Sequence, residues 1–304
     1  MKQVIIKEVT GASEWKEFIK LPWSIYRNDP LWVPPLLYDL KRQLNKKANP
    51  FFRDAEVKLW IAVAGEKCVG RIAAILNHQH NRYYHEKTGF FGFFESVNDP
   101  GVSAQLFSTA EGWLQQMGMR LVRGPVNLSL ANESGLLVEG FDRSPIIQMN
   151  YNPQYYINLY ENYGLQREHD LLAFYVSDEI INNERVMRRL ERISSLITEK
   201  EKISFRCFNT KDFQGEVERI RLLFNSYMSD NWGFLPVEKE EFDFMAQTLK
   251  PVLVRELAIF AEVGGEAVGF SLAIPDVNQV LKKMNGKLFP KGIFQFLYYK
   301  NKIS

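Results

Sequence analysis

Glu95 closes the run Phe90-Phe91-Gly92-Phe93-Phe94. A carboxyl preceded by that much apolar surface is drawn out of water. Lost hydration raises its pKa toward the range where it can take up a proton and give it back. The plainer reading is a strand-end carboxylate held in an ion pair. Tyr160 sits beside Tyr156 and Tyr163. A phenol can donate a proton and be restored easily near neutral pH, and it can equally serve as packed core. His78 and His80 would point the same way from a strand, with His85 and Glu86 nearby. No further ligand stands at a fixed spacing, so hydrogen-bonding loop histidines fit better than a metal site, and no metal is expected. Asn127, Asn132, Glu133 and Asp142 dot the loop after Gly124-Pro125. They can line a pocket or satisfy the loop's own backbone. Trp232, in Asp230-Asn231-Trp232-Gly233-Phe234, can receive an acceptor or pack as core. A Ser-His-Asp triad or a lysine-bearing phosphate loop is not evident.

The elements that must position these residues show themselves through a repeat. Leu59 to Asn77 (LWIAVAGEKCVGRIAAILN) and Ala258 to Asp276 (AIFAEVGGEAVGFSLAIPD) are both apolar runs turning through glycine into a second run that begins Val-Gly. Each reads as a β-hairpin. Aligned at an offset of 199 they share Ala62/Ala261, Gly65/Gly264, Val69/Val268, Gly70/Gly269, Ala74/Ala273 and Ile75/Ile274. The same offset pairs the opening strands at Val4 and Ile203. A period this long is no solenoid; it reads as a duplicated domain.

Between these landmarks, Ser13 is placed to cap a helix that Pro22 kinks or breaks, and Leu36 to Lys46 reads as a second. Lys87 to Val97 is apolar on both faces and is expected to be a central strand, broken by Asn98-Asp99-Pro100-Gly101. An amphipathic helix over Ser103 to Met117, stopped by Gly118, is followed by a strand at Arg120 to Val122. A short helix over Gln154 to Tyr163, ended by Gly164, precedes a closing strand at Leu171 to Val176. Asp178 to Lys200 carries Val186, Leu190, Ile193 and Ile197 on one face and reads as a linker helix, its arginines a solvated face. The expected domains are 1–177, the linker 178–202, and a second copy, 203–304, that lacks its closing half. Ile293, Phe294, Phe296, Leu297, Tyr298 and Tyr299 would then need cover from residues beyond Ser304, from the first copy or from a second molecule.

The chain of 304 residues is 46% hydrophobic and 24% charged, ordinary globular material, and its formal net charge of +2 carries no basic stripe for nucleic acid. Cys68 and Cys207 lie in different elements of different copies, which suits a reducing compartment. No apolar run approaches the roughly 20 residues of a membrane span. A cytoplasmic protein without a membrane or nucleic-acid partner is expected, possible homo-oligomerisation being left open.

The order of elements, the hairpin phrase ending Val69-Gly70 and the later Leu159-Tyr160-Glu161-Asn162-Tyr163-Gly164-Leu165 together resemble the GNAT acyl-CoA N-acyltransferase superfamily, in a tandem arrangement. The resemblance implies an α/β (α+β mixed-sheet) fold, acetyl-CoA or another acyl-CoA as donor, and a small-molecule or peptide amine as acceptor. It implies Glu95 as general base and Tyr160 as the acid for the departing thiolate. It places the donor's pyrophosphate at Gly101, Val102 and Ser103, an anion site at a helix N-terminus. Asn127, Asp142 and Trp232 are the expected acceptor contacts. The stretch Asn98 to Ala104 departs from the superfamily's Gln/Arg-x-x-Gly-x-Gly/Ala, keeping Gly101 alone. Weak coenzyme binding, or a non-catalytic binding or scaffolding module, is therefore the rival expectation.

Overall fold

The computed structural model describes residues 3–289 and 291–299. The chain forms two compact units. The first holds the described residues up to Glu168, Trp232–Leu235 and those from Asp276 on; the second holds His169–Asn231 and Pro236–Pro275. The sequence repeat drew these boundaries differently, assigning everything after residue 203 to the second copy.

In the first unit, β1 (Val4–Glu8), β2 (Ala55–Ala64), β3 (Lys67–Asn77), β4 (Thr88–Ser96) and β5 (Leu121–Arg123) lie side by side in that order. The first four are antiparallel and β5 runs parallel to β4. This is the mixed α/β sheet the GNAT resemblance implies. β2 and β3 are joined by two residues with Gly65 at φ 65°, a conformation glycine takes without steric cost. All nine positions of β4 are buried, as expected of a strand covered on both faces. Each fully buried phenylalanine there contributes on the order of 1.5–3 kcal/mol by leaving water.

One face of the sheet packs on α4 (Pro100–Gln116) and α5 (Tyr156–Tyr163), around Trp60, Ile72, Phe91, Phe94, Leu106 and Leu114. The other packs on α1 (Ala12–Ile25) and α2 (Leu37–Gln43), around Phe18, Ile19, Ile61, Ile75, Phe90 and Phe93. That partition reveals an irregularity in β4. Strict alternation would put Phe91 and Phe93 on one face, yet Phe91 shares a face with Phe94, and Phe90 with Phe93. The pairing explains it: Ala73 faces Gly92 and Arg71 faces Glu95, so β4 carries one extra residue, with Phe93 at φ 49°.

Several sequence expectations need correction. Pro22 lies inside α1 and does not end it. α4 starts at Pro100, earlier than its apolar periodicity suggested, because Asp99 caps it and proline suits the first helical position. His78 and His80 stand on a short helix, α3 (His78–Tyr84), where the strand argument for parallel rings does not apply. Leu171 to Val176 forms no strand and is exposed. The interval read as a linker holds two helices, α6 (Asp178–Ile181) and α7 (Glu184–Glu201), with the apolar stripe of α7 exposed.

In the second unit, β6 (Ile203–Cys207) precedes α8 (Phe213–Tyr227), α9 (Lys239–Leu249) and the hairpin of β7 (Ala258–Val263) and β8 (Glu266–Leu272). Its registers reproduce those of the first unit at the same offset. Val4 faces Ala64 and Ile203 faces Val263; the hairpin irregularities fall at Ala62/Val63 and Ala261/Glu262. A bulge is a local event, so its recurrence at one offset says more than shared turn glycines do. Its core is Phe208, Val217, Ile220, Ala258 and Phe260. The offset would set the next strand against β4. Instead, the chain forms α10 (Asn278–Met284) and α11 (Lys291–Tyr299). Asn278 Nδ2 donates to the Pro145 carbonyl at 2.6 Å, and Trp23 Nε1 donates to Asn285 Oδ1 at 2.8 Å. Of the residues that called for cover, Phe294 and Tyr298 remain exposed. No helix among the described residues is long and apolar enough to cross a membrane.

Candidate active site

The extra residue in β4 decides where Glu95 goes. It sends the carboxyl to the α1 face of the sheet, opposite Arg71 of β3. Arg71 donates from Nη1 to the Phe18 carbonyl at 2.7 Å, lies 5.0 Å above the Phe18 ring, and sets Nη2 3.5 Å from Glu95 Oε1. Its Nε, also buried, has no partner among the described residues. The Tyr156 hydroxyl donates to Glu95 Oε2 at 2.7 Å and accepts the Ser96 N–H at 2.9 Å. Tyr26, at the end of α1, donates its hydroxyl to the Tyr151 carbonyl at 3.3 Å, stacks on Trp32 and lies close enough to Glu95 to favour its charged form. Burial raises the Glu95 pKa, and Arg71 and the two phenols oppose that rise without cancelling it. A carboxyl so placed can exchange a proton at a higher pH than an exposed glutamate can.

The stretch after β5 completes the site. β4 and β5 pair only through Thr88, Gly89 and Phe90 before parting. Past that point, Val126 N–H donates to the Phe91 carbonyl at 2.8 Å, and the Asn127 side chain takes over. Asn127 Oδ1 accepts the Phe93 N–H at 2.7 Å and its Nδ2 donates to Glu133 Oε2 at 3.1 Å. Phe93 therefore has no free amide with which to receive an oxyanion. Lost hydration raises the Glu133 carboxyl pKa, and the Asn127 hydrogen bond opposes that rise.

The Tyr160 ring is enclosed by Phe91, Phe94 and Phe107, with centroids 5.2 to 5.8 Å away. Burial holds its pKa well above the ordinary phenol value, so it stays protonated. Of the residues expected at the site, then, Glu95 and Asn127 flank the β4 irregularity, and Tyr160 packs on the α4 and α5 side, near enough for the Glu95 charge to raise its pKa further. Asp142 is exposed beside Arg143, and Trp232 is 43% exposed. Sequence reasoning missed Arg71, Tyr26 and Tyr156. Arg71 left a signal, since it is the one charge in the apolar run from Val69 to Leu76. His80 packs edge-on against Phe90, with Nε2 3.6 Å from Glu86, and burial lowers its pKa. Among the described residues no group of histidine, cysteine and carboxylate side chains could hold a metal ion.

The expected coenzyme cradle does not fit a pyrophosphate as it stands. Gly101 and Val102 donate to Asp99 Oδ1, and the Ser103 hydroxyl donates to the Pro100 carbonyl.

No protein-family model matches the chain. It is 32% identical over 296 residues to Protein YghO of Escherichia coli K12, spanning 97% of this chain and 74% of that protein. It is 35% identical over 292 residues to the bacterial ceramide synthase of Caulobacter vibrioides, spanning 95% of this chain and 74% of that protein. An aminoglycoside acetyltransferase from an uncultured soil metagenomic sample, solved with sisomicin, aligns over 57% of this chain and 95% of its own. The TM-score is 0.36 and the identity 12%.

Proposed function

We propose, from the premise that this chain belongs to the family of Protein YghO and the bacterial ceramide synthase, on a GNAT-like fold, that it moves an acyl group from a thioester to the amine of a long-chain lipid base. A ceramide is a sphingoid base carrying an acyl group on nitrogen, so the chemistry in question is amide formation. The observation that carries the reading is the buried Glu95, turned by the β4 irregularity toward Arg71, Tyr26 and Tyr156.

In this reading the amine attacks the thioester carbonyl, the C–N bond forms and the C–S bond breaks. Glu95 takes the proton that nitrogen sheds. Tyr160, kept protonated by burial, supplies one to the departing sulfur. The products are the N-acyl lipid and a free thiol. Arg71 and Tyr156 act as positioning residues: they hold Glu95 in place and limit how far its pKa rises. We assign the chemistry to the first unit. The second reads as a duplicated, non-catalytic copy, because position 270, which the offset matches to Arg71, carries phenylalanine.

The test offers the purified chain palmitoyl thioester with either sphinganine or a short polar amine and follows the amide by mass spectrometry. N-palmitoyl sphinganine should accumulate faster than the short-amine product. A folded chain that makes neither, or that prefers the short amine, defeats the proposal. Tyr160→Phe should lower kcat by about 10- to 100-fold, with stability changed by less than about 1 kcal/mol because no described group bonds its hydroxyl. Wild-type kcat in that variant would leave Tyr160 as core.

A further inference from the structure

The first turn of α4 is where a helix offers unsatisfied N–H groups to an anion. Here each is absent or spent. Pro100 has no N–H. Gly101 donates to Asp99 Oδ1 at 2.8 Å. Val102 donates to Asp99 Oδ1 at 3.4 Å and to the Asp99 carbonyl at 3.1 Å; Ser103 donates to that carbonyl at 3.1 Å. The chain's own carboxylate thus fills the place a phosphate would take, and its charge would repel one. A second observation agrees. From Glu95 to Met119, through the strand end, the loop and all of α4, the sequence holds no lysine or arginine. A phosphate arriving there would find a negative charge, no cation from this stretch and first-turn amides already spent.

We infer that the acyl donor is recognised through its acylated pantetheine arm, with no diphosphate contact at the N-terminus of α4. The inference rests on the acyl-transfer reading above and narrows it. A donor lacking the nucleotide, such as acyl-pantetheine, then presents everything this unit reads at that place. Asp99 acts as a helix cap that excludes the anion, and the reaction itself is unchanged.

The test compares palmitoyl-CoA with palmitoyl-pantetheine as donors to sphinganine. The expected kcat/KM values agree within about threefold. Two or three charge-assisted hydrogen bonds to a diphosphate would instead favour palmitoyl-CoA by about 100-fold or more, and such a ratio would overturn the inference. Asp99→Ser keeps a capping oxygen but removes the charge, so it should raise kcat/KM for palmitoyl-CoA about tenfold over that for palmitoyl-pantetheine. An equal response of both donors would remove Asp99 as the cause. Titration calorimetry with adenosine 3′,5′-bisphosphate and with pantetheine gives a readout independent of turnover. Tight binding of the nucleotide would overturn the inference; binding of pantetheine alone would support it. Absence of turnover with either donor would refute the acyl-transfer reading, and the titrations would still decide the donor question.

Discussion

Glu95→Gln is expected to lower the rate of amide formation by about 10²- to 10³-fold while the protein stays folded. Glutamine has the same shape and keeps one acceptor oxygen, for either the Tyr156 hydroxyl or the Arg71 guanidinium, so it removes the titrating carboxyl and one of these two bonds. The pH profile supplies the second readout. A general base works when deprotonated, so the wild-type rate rises with pH through the Glu95 pKa. Burial raises that pKa, which places the ascending limb above the ordinary carboxylate range. In the glutamine variant the limb disappears. The same shift has a consequence for stability. A carboxyl whose folded pKa is raised binds its proton more tightly folded than unfolded, so stability falls as pH climbs from the unfolded value toward the folded one. Wild-type kcat with an unchanged pH profile in Glu95→Gln would make Glu95 a structural ion-pair partner of Arg71.

Gly92→Ala is expected to cost at least about 3 kcal/mol, seen as a fall of about 6 °C or more in the first unfolding transition, and to abolish turnover. A Cβ at Gly92 would sit 1.9 Å from the Val126 carbonyl oxygen and 2.7 Å from its carbon. Both are backbone atoms, so no side chain can rotate out of the way. The strand must move or the segment after β5 must detach, taking with it the Asn127 bond to Phe93. The irregularity that aims Glu95 would then be lost. Differential scanning calorimetry together with the palmitoyl-transfer assay reads both effects. A variant with wild-type melting and turnover would show that the close approach of Val126 to β4 has no bearing on the site.

The two hairpins, the central strand and the Gly164 helix stop were legible because each rests on local pattern: glycine where a turn needs positive φ, and apolar residues at a period of two or 3.6. Glu95 and Tyr160 were legible as candidates by type and neighbourhood. One expectation failed for a physical reason. Leu171 to Val176 is apolar enough to pass as a strand, but a strand exists only when another strand pairs with it, and this stretch has no such pairing.

From its residues alone the chain determined its strand pairing, down to hairpin registers that repeat at an offset of 199, because alternation and turn chemistry act over a few residues. It also determined the cap at Asp99, since an aspartate before a proline and a glycine can reach the first helical amides without help from distant groups. The face on which Glu95 lies was a tertiary decision. Phe90 to Glu95 reads as unbroken apolar alternation, and either face could bury it. Only the closeness of Val126 to Gly92, the Asn127 bond to Phe93 and the pairing of Glu95 with Arg71 select the strand with one extra residue. Those partners lie 24 to 34 residues away in the chain. Their effect depends on distances that folding sets, and no local period records it.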